Sequence, residues 1–219
     1  LSGLAARFPH RRDTLKCQMS FGWDFAPPLR TMGIWDAVYA VVSDGVFIQD
    51  VSVAQQVQPG EARLEIDVAF DSAVAGPVTV ACRLEGETFQ GLGPSAALEL
   101  EAVPGANRAR LRLAVPEPRL WWPWDHGEPH LYRLAVEVHG SGRLLDGVAE
   151  TVGLRRIEMD GWTLRVNGRP VYARGANWVP ADILPGRAGE GDYRALLALA
   201  REANMNMLRV WGGGLREKP

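Results

Sequence analysis

The sequence is short of the residues that build metal sites and disulfide frameworks. Cys17 and Cys82 are its only cysteines, too few for a disulfide scaffold or a cysteine-based zinc site. The four histidines, His10, His126, His130 and His139, show no sustained ligand spacing. His126 and His130 stand four apart, but Gly127 and Pro129 between them break the helix such a pair would need. No metal and no cofactor is therefore expected. Lysine is nearly absent, with Lys16 and Lys218 alone among arginines, and the formal net charge is -2. That balance argues against nucleic acid or an anionic membrane as the main partner. No run approaches the roughly 20 apolar residues of a membrane helix. The opening LSGLAARFPHRRDTLK also lacks the apolar core of a signal peptide, and the compartment is left open. An initiator Met is missing, and the last residues follow directly on a glycine run, so both ends read as cuts.

What is present is hydrophobic enough, at 47% of 219 residues, for one large or two small globular domains. Three zones can be told apart. Residues 1–45 are rich in aromatics and proline, and only IWDAVYAVV within them reads as a strand. Residues 46–156 are a procession of short period-two segments. They include ARLEIDVAF, with Leu64, Ile66, Val68 and Phe70 on one face, and PVTVACRL, with Val78, Val80, Cys82 and Leu84. Turn pairs such as Pro59-Gly60 and Pro104-Gly105 separate them, which predicts an antiparallel, immunoglobulin-like β-sandwich of about seven strands. Cys82 falls on the inward face and reads as a small buried hydrophobe.

From residue 157 the pattern changes. GWTLRVNGRPVYARGANW predicts a hairpin turning at Asn167-Gly168. A helix follows in DYRALLALAREAN, with Asp192 as N-cap and an apolar stripe of Tyr193, Leu196, Leu197 and Ala200. MNMLRVW is then a buried strand running into Gly212-Gly213-Gly214. Strand, helix, strand is the opening βαβ unit of a (β/α)8 TIM barrel. The class expected is mainly β: an immunoglobulin-like sandwich at 46–156, flanked by the end of another β domain (1–45) and the start of a barrel (157–219). The exposed helix face and sheet edge of an unfinished barrel invite self-association.

Barrel ligands meet the C-terminal ends of the strands. These are Arg174-Gly175-Ala176-Asn177-Trp178 and Arg209-Val210-Trp211. Asn177 and Arg209 offer donors for hydroxyls, and Trp178 and Trp211 offer flat apolar faces for the C–H face of a pyranose.

The same residues carry a resemblance. RGANWVPADILPGR followed by NMNMLRVWGGG resembles the start of the catalytic barrel in β-mannosidases of glycoside hydrolase family 2. FGWDFAPPLRTMGIWDAV resembles the segment closing that family's N-terminal sugar-binding, jelly-roll-like β domain, and LWWPWDHGEPHLY resembles a stretch late in its immunoglobulin-like domain. The resemblance implies a retaining exo-enzyme that hydrolyses terminal non-reducing β-D-mannose residues. Its substrates would be β-mannoside oligosaccharides or glycans, met by the full-length parent. It further implies a substrate-binding shell of Trp23, Asp24, Asn177, Trp178, Asp182 and Trp211, which Arg209 joins from the strand-end reading. The family's acid/base Glu follows an Asn, and no Asn-Glu pair occurs here, so both catalytic glutamates are expected beyond Pro219 and the chain alone is expected to be inactive. Phe25, Ala26 and Asp36 depart from the family's usual Trp, Gly and Arg. A related family 2 β-glucosaminidase, or a non-catalytic carbohydrate-binding or structural β-sandwich, are the competing readings.

Overall fold

Alternation of apolar and polar side chains decides the central part of the chain. In β2 (Glu61–Ser72), Ala62, Leu64, Ile66, Val68 and Phe70 are all at most 2% exposed, while the residues between them are less buried. The same rhythm runs through β1 (Val46–Gln58), β3 (Gly76–Gly86), β5 (Gly105–Pro116) and β6 (Tyr132–Gly140). It weakens in β4 (Leu92–Ala102) and β7 (Arg143–Val152), the two outer strands of their sheet. This computed structural model describes residues 13–184 and 186–214. Contacts within it divide the chain into two compact units, residues 40–172 and residues 1–39 with 173–219.

In the first unit the seven strands form two antiparallel sheets, ordered β1-β2-β5 and β4-β3-β6-β7. Their inner faces meet in one core, with Leu64, Ile66, Val68, Phe70 and Leu111 on one side and Val80, Leu84, Leu134, Val136 and Val138 on the other. Each such side chain contributes about 1.5–3 kcal/mol through burial. The expected sandwich is therefore present. Its β4 pairs with β3, so it has three strands against four where a constant-type immunoglobulin domain has four against three. Cys82 is buried in that core, and desolvation pushes its thiol pKa up, as befits a packing residue.

The strands β8 (Ile157–Asp160), β9 (Thr163–Val166) and β10 (Arg169–Val171) form a small antiparallel sheet in the same unit. Asn167 and Gly168 turn the chain between β9 and β10 with φ of +50° and +81°, the expected primed turn. Asn167 does more than turn. Its backbone N–H donates to Arg156 O at 2.8 Å, and its Oδ1 accepts from Arg156 N–H at 2.8 Å. Its Nδ2 donates to Trp121 O at 3.0 Å. Beside it Arg155 lies 4.9 Å over the Trp121 ring and Arg169 4.8 Å over Trp122.

The second unit holds β11 (Gly175–Trp178), α1 (Glu190–Glu202) and β12 (Met207–Val210), with β11 and β12 parallel, as a strand-helix-strand sequence requires. Three expectations need correction. MNMLRVW holds a strand but not a buried one, since Met207 is 48% and Val210 67% exposed. IWDAVYAVV, residues 34–42, forms no strand among the described residues. Ile34, Val38, Tyr39, Val41 and Val42 are each more than 60% exposed, and a strand without a partner leaves its backbone groups unpaired. Nor is Asp192 the N-cap. Gly189 occupies that place, and Asp192, three residues on, accepts the Gly189 N–H at 2.9 Å, the return half of a capping box. No residue of α1 is buried, and Leu196, Leu197 and Leu199 are 38–61% exposed.

Asn167→Ala should lower the stability of the sandwich unit by about 2 kcal/mol, since two side-chain hydrogen bonds and a residue tolerant of positive φ are lost together. Urea unfolding followed by tryptophan emission measures it, and an unchanged midpoint would contradict the role given to Asn167. Cys82 should resist a thiol reagent in the native chain and react in urea. The stability tied to its neutral thiol is fully present below the unfolded pKa of about 8.5 and is lost as pH rises through the higher folded value. Thermal melts from pH 7 to 10 read that decline.

Candidate functional site

A short turn near the start of the described chain builds the first part of the site. Met19 and Phe21, in a 3-10 turn at Gln18–Phe21, are buried and anchor it. Trp23 N–H then donates to Ala26 O at 2.9 Å, and Ala26 N–H returns a bond to Trp23 O at 3.2 Å. This reciprocal pair leaves Asp24 and Phe25 at the tip, with Ala26 buried beneath. Asp24 is exposed, and the Trp23 and Phe25 rings are 46% and 49% exposed.

Both rings meet Trp211. The Trp23 and Trp211 centroids lie 5.3 Å apart at 55°, and those of Phe25 and Trp211 lie 5.7 Å apart at 69°. These are tilted and edge-on arrangements, which the aromatic quadrupole favours. The Trp211 N–H donates to Trp178 O at 2.9 Å, so the β11–β12 pairing continues one residue past the strands. The glycine run closes a further side of the indole. A Cβ on Gly213 would stand 2.4 Å from Trp211 Cζ2, so only glycine lets backbone and ring approach this closely. The Cys17 thiol donates to Gly213 O at 3.0 Å and holds that loop from another direction.

Asn177 and Arg209 face each other in the β11–β12 register, and Arg209 Nη1 donates to Asn177 Oδ1 at 2.9 Å. Both are exposed. Trp178 is brought into a different place: its ring stacks on Tyr193 of α1 at 6.3 Å and 21°. Asp182 lies in the loop after β11, where Oδ1 accepts Leu184 N–H at 2.8 Å and Oδ2 is 3.5 Å from Arg187 Nε. The seven residues singled out in the sequence thus form two clusters, Trp23 with Trp211 and Asn177 with Arg209, while Asp24 sits at the turn tip and Trp178 and Asp182 hold neighbouring structure. Phe25 belongs to the aromatic cluster although the sequence marked it only as a departure from a motif. The Trp-x-Phe spacing around a tight turn was the signal.

Chemically the cluster offers apolar ring faces and hydroxyl-directed donors. Its acids are Asp24 and Asp182, and the second is already engaged. Away from it, a shallow hollow on the outer face of the β1-β2-β5 sheet is lined by Gln56, Arg63, Glu65 and Arg112. The Arg112–Glu65 ion pair there, at 3.1 Å, and the Arg110–Asp67 pair further along the same strands, at 2.8 Å, are solvated and contribute little.

A β-sandwich, a parallel strand-helix-strand unit and an aromatic cluster at a strand end define a class of mixed β and α/β architecture. The comparisons sharpen that class: residues 46–155 match the glycosyl hydrolases family 2 model, and the chain belongs to that family. It is similar to "Beta-mannosidase B" of Aspergillus niger, 28% identical over 95% of this chain and 25% of the relative. It is also similar to the Bos taurus β-mannosidase, 29% identical over 93% of this chain and 24% of the relative. Among solved structures, the β-D-mannosidase of Dictyoglomus thermophilum superposes with a TM-score of 0.84 at 36% identity, covering 93% of this chain and 26% of that one. The chain spans about a quarter of the length of the relatives it matches.

Gly213→Ala should drive the Trp211 ring from its place. The far-ultraviolet exciton couplet of the close Trp23–Trp211 pair should then collapse, while the sandwich unfolding midpoint stays unchanged. A preserved couplet would show that the glycine is not what admits the ring.

Proposed function

We propose that the chain is part of a retaining exo-β-mannosidase, which removes terminal non-reducing β-D-mannose residues from oligosaccharides or glycans, and that it supplies binding residues rather than the catalytic glutamates. Residues 1–45 close a sugar-binding-type β domain, 46–156 are the immunoglobulin-like spacer, and 157–219 open the catalytic barrel. The observation that carries the reading is the convergence of the Trp23–Ala26 turn on Trp211 at the end of β12. It puts aromatic rings from distant parts of the sequence at a barrel strand end, where ligands of such barrels are met.

In this reading Trp211 walls the terminal sugar subsite, and Trp23 extends that wall. Asp24 accepts hydrogen bonds from sugar hydroxyls. Asn177 and Arg209 donate to hydroxyls, their mutual bond at 2.9 Å fixing both side chains before a sugar arrives. Trp178 and Asp182 complete the shell by setting the course of the loop after β11, through the Tyr193 stack and the Leu184 bond. Bond cleavage then needs two further carboxyl groups about 5 Å apart, one as nucleophile and one as acid/base. Both would be glutamates outside these residues.

The test pairs two samples. The full-length parent should hydrolyse aryl β-mannoside in preference to aryl β-glucosaminide, and a purified 219-residue chain should hydrolyse neither. Preference for the glucosaminide would replace the mannosidase reading, and turnover by the short chain would overturn the placement of the catalytic groups.

A further inference from the structure

We infer that Phe25 is a positioning residue for Trp211, and through it a determinant of how tightly the terminal sugar is held. The second half of that statement rests on the assignment of Trp211 to the sugar subsite. Trp211 is bounded by the Trp23 ring at 5.3 Å, the Phe25 ring at 5.7 Å and the Gly213 backbone, whose Cβ position would fall 2.4 Å from the indole. On the glycine side the indole lies close against the backbone, with no room for even a methyl group between them. The other two boundaries come from a single turn, closed by the reciprocal Trp23–Ala26 bonds and seated on buried Ala26. That turn cannot slide one ring without the other, so a loss at Phe25 is absorbed by the indole, which tilts toward the vacated space. Phe25 presents its ring at 69° to Trp211, an edge-to-face contact that defines an angle as well as a distance. A sugar stacked on the indole would feel that angle directly.

Phe25→Leu and Phe25→Trp test this, in the full-length parent and in this chain. In the parent, Phe25→Leu should raise KM for aryl β-mannoside about threefold to tenfold, the equivalent of one aromatic pair, with kcat little changed. Phe25→Trp should restore KM by restoring the ring contact. In this chain, Phe25→Leu should weaken the Trp23–Trp211 exciton couplet and Phe25→Trp should keep an aromatic couplet, with the sandwich unfolding midpoint constant as the folding control. A couplet unaffected by Phe25→Leu overturns the positioning role, and a KM shift alongside it would mean that Phe25 touches sugar itself. A weakened couplet with unchanged KM overturns the link to sugar binding. If the wild-type parent fails to hydrolyse β-mannoside, the functional reading falls separately, and the couplet still decides whether Phe25 sets the indole.

Discussion

Leu64, Ile66, Val68 and Phe70 of β2 lie against Val80, Leu134, Val136 and Val138 across the gap between two sheets, and the order of the central chain hangs on that contact. An antiparallel sheet with one apolar face has no stable existence alone, because the face must be taken from water. Once the two sheets close, side-chain alternation fixes which residues are outside and holds every register, since a one-residue slip of β2 would turn Phe70 outward and one of β6 would turn Val136 outward. The Asp67–Arg110 and Glu65–Arg112 pairs outside the sandwich are consequences of that register and add little to its energy.

The aromatic cluster around Trp211 is held by different means. Trp23 and Phe25 are half-exposed and Trp211 is only partly buried, so burial contributes less than in the sandwich, and each ring pair adds about 0.5–1.5 kcal/mol beyond its area. Orientation instead comes from backbone: the Trp23–Ala26 bonds, the Trp211–Trp178 bond and the close approach of Gly213. Fixing rings by backbone lets them keep their mutual angles while Trp23 and Phe25 stay half-exposed, which a core would not tolerate.

How much of this was legible in the sequence depended on whether the cause was local. The strands of the sandwich were legible because period two is a local record of one buried face, and Asn167-Gly168 because both residues tolerate positive φ. IWDAVYAVV misled for the matching reason: its apolar residues satisfy strand propensity, but strand pairing is non-local and residues 34–42 form no strand. Asp192 was recognisable as a capping residue, yet its reach back from the third helical position to Gly189 depends on where the helix begins. The side-chain bonds of Asn167 to Arg156 and Trp121 left no trace in spacing at all.

Two tryptophans with the same apparent role show what the register adds. Asn177 is opposite Arg209 and Trp178 opposite Val210, so Trp178 shares its parity with Val210 while Trp211 shares its parity with Arg209 and Asn177. Trp178 accordingly lies on the side that meets the helix and stacks on Tyr193. Trp211, one step further along, continues the side that carries the Asn177–Arg209 pair and meets Trp23 and Phe25. The sequence placed both tryptophans at strand ends, where either could face a ligand. Parity separates them: one step along the chain is the difference between a ring stacked on the helix and a ring packed against Trp23 and Phe25.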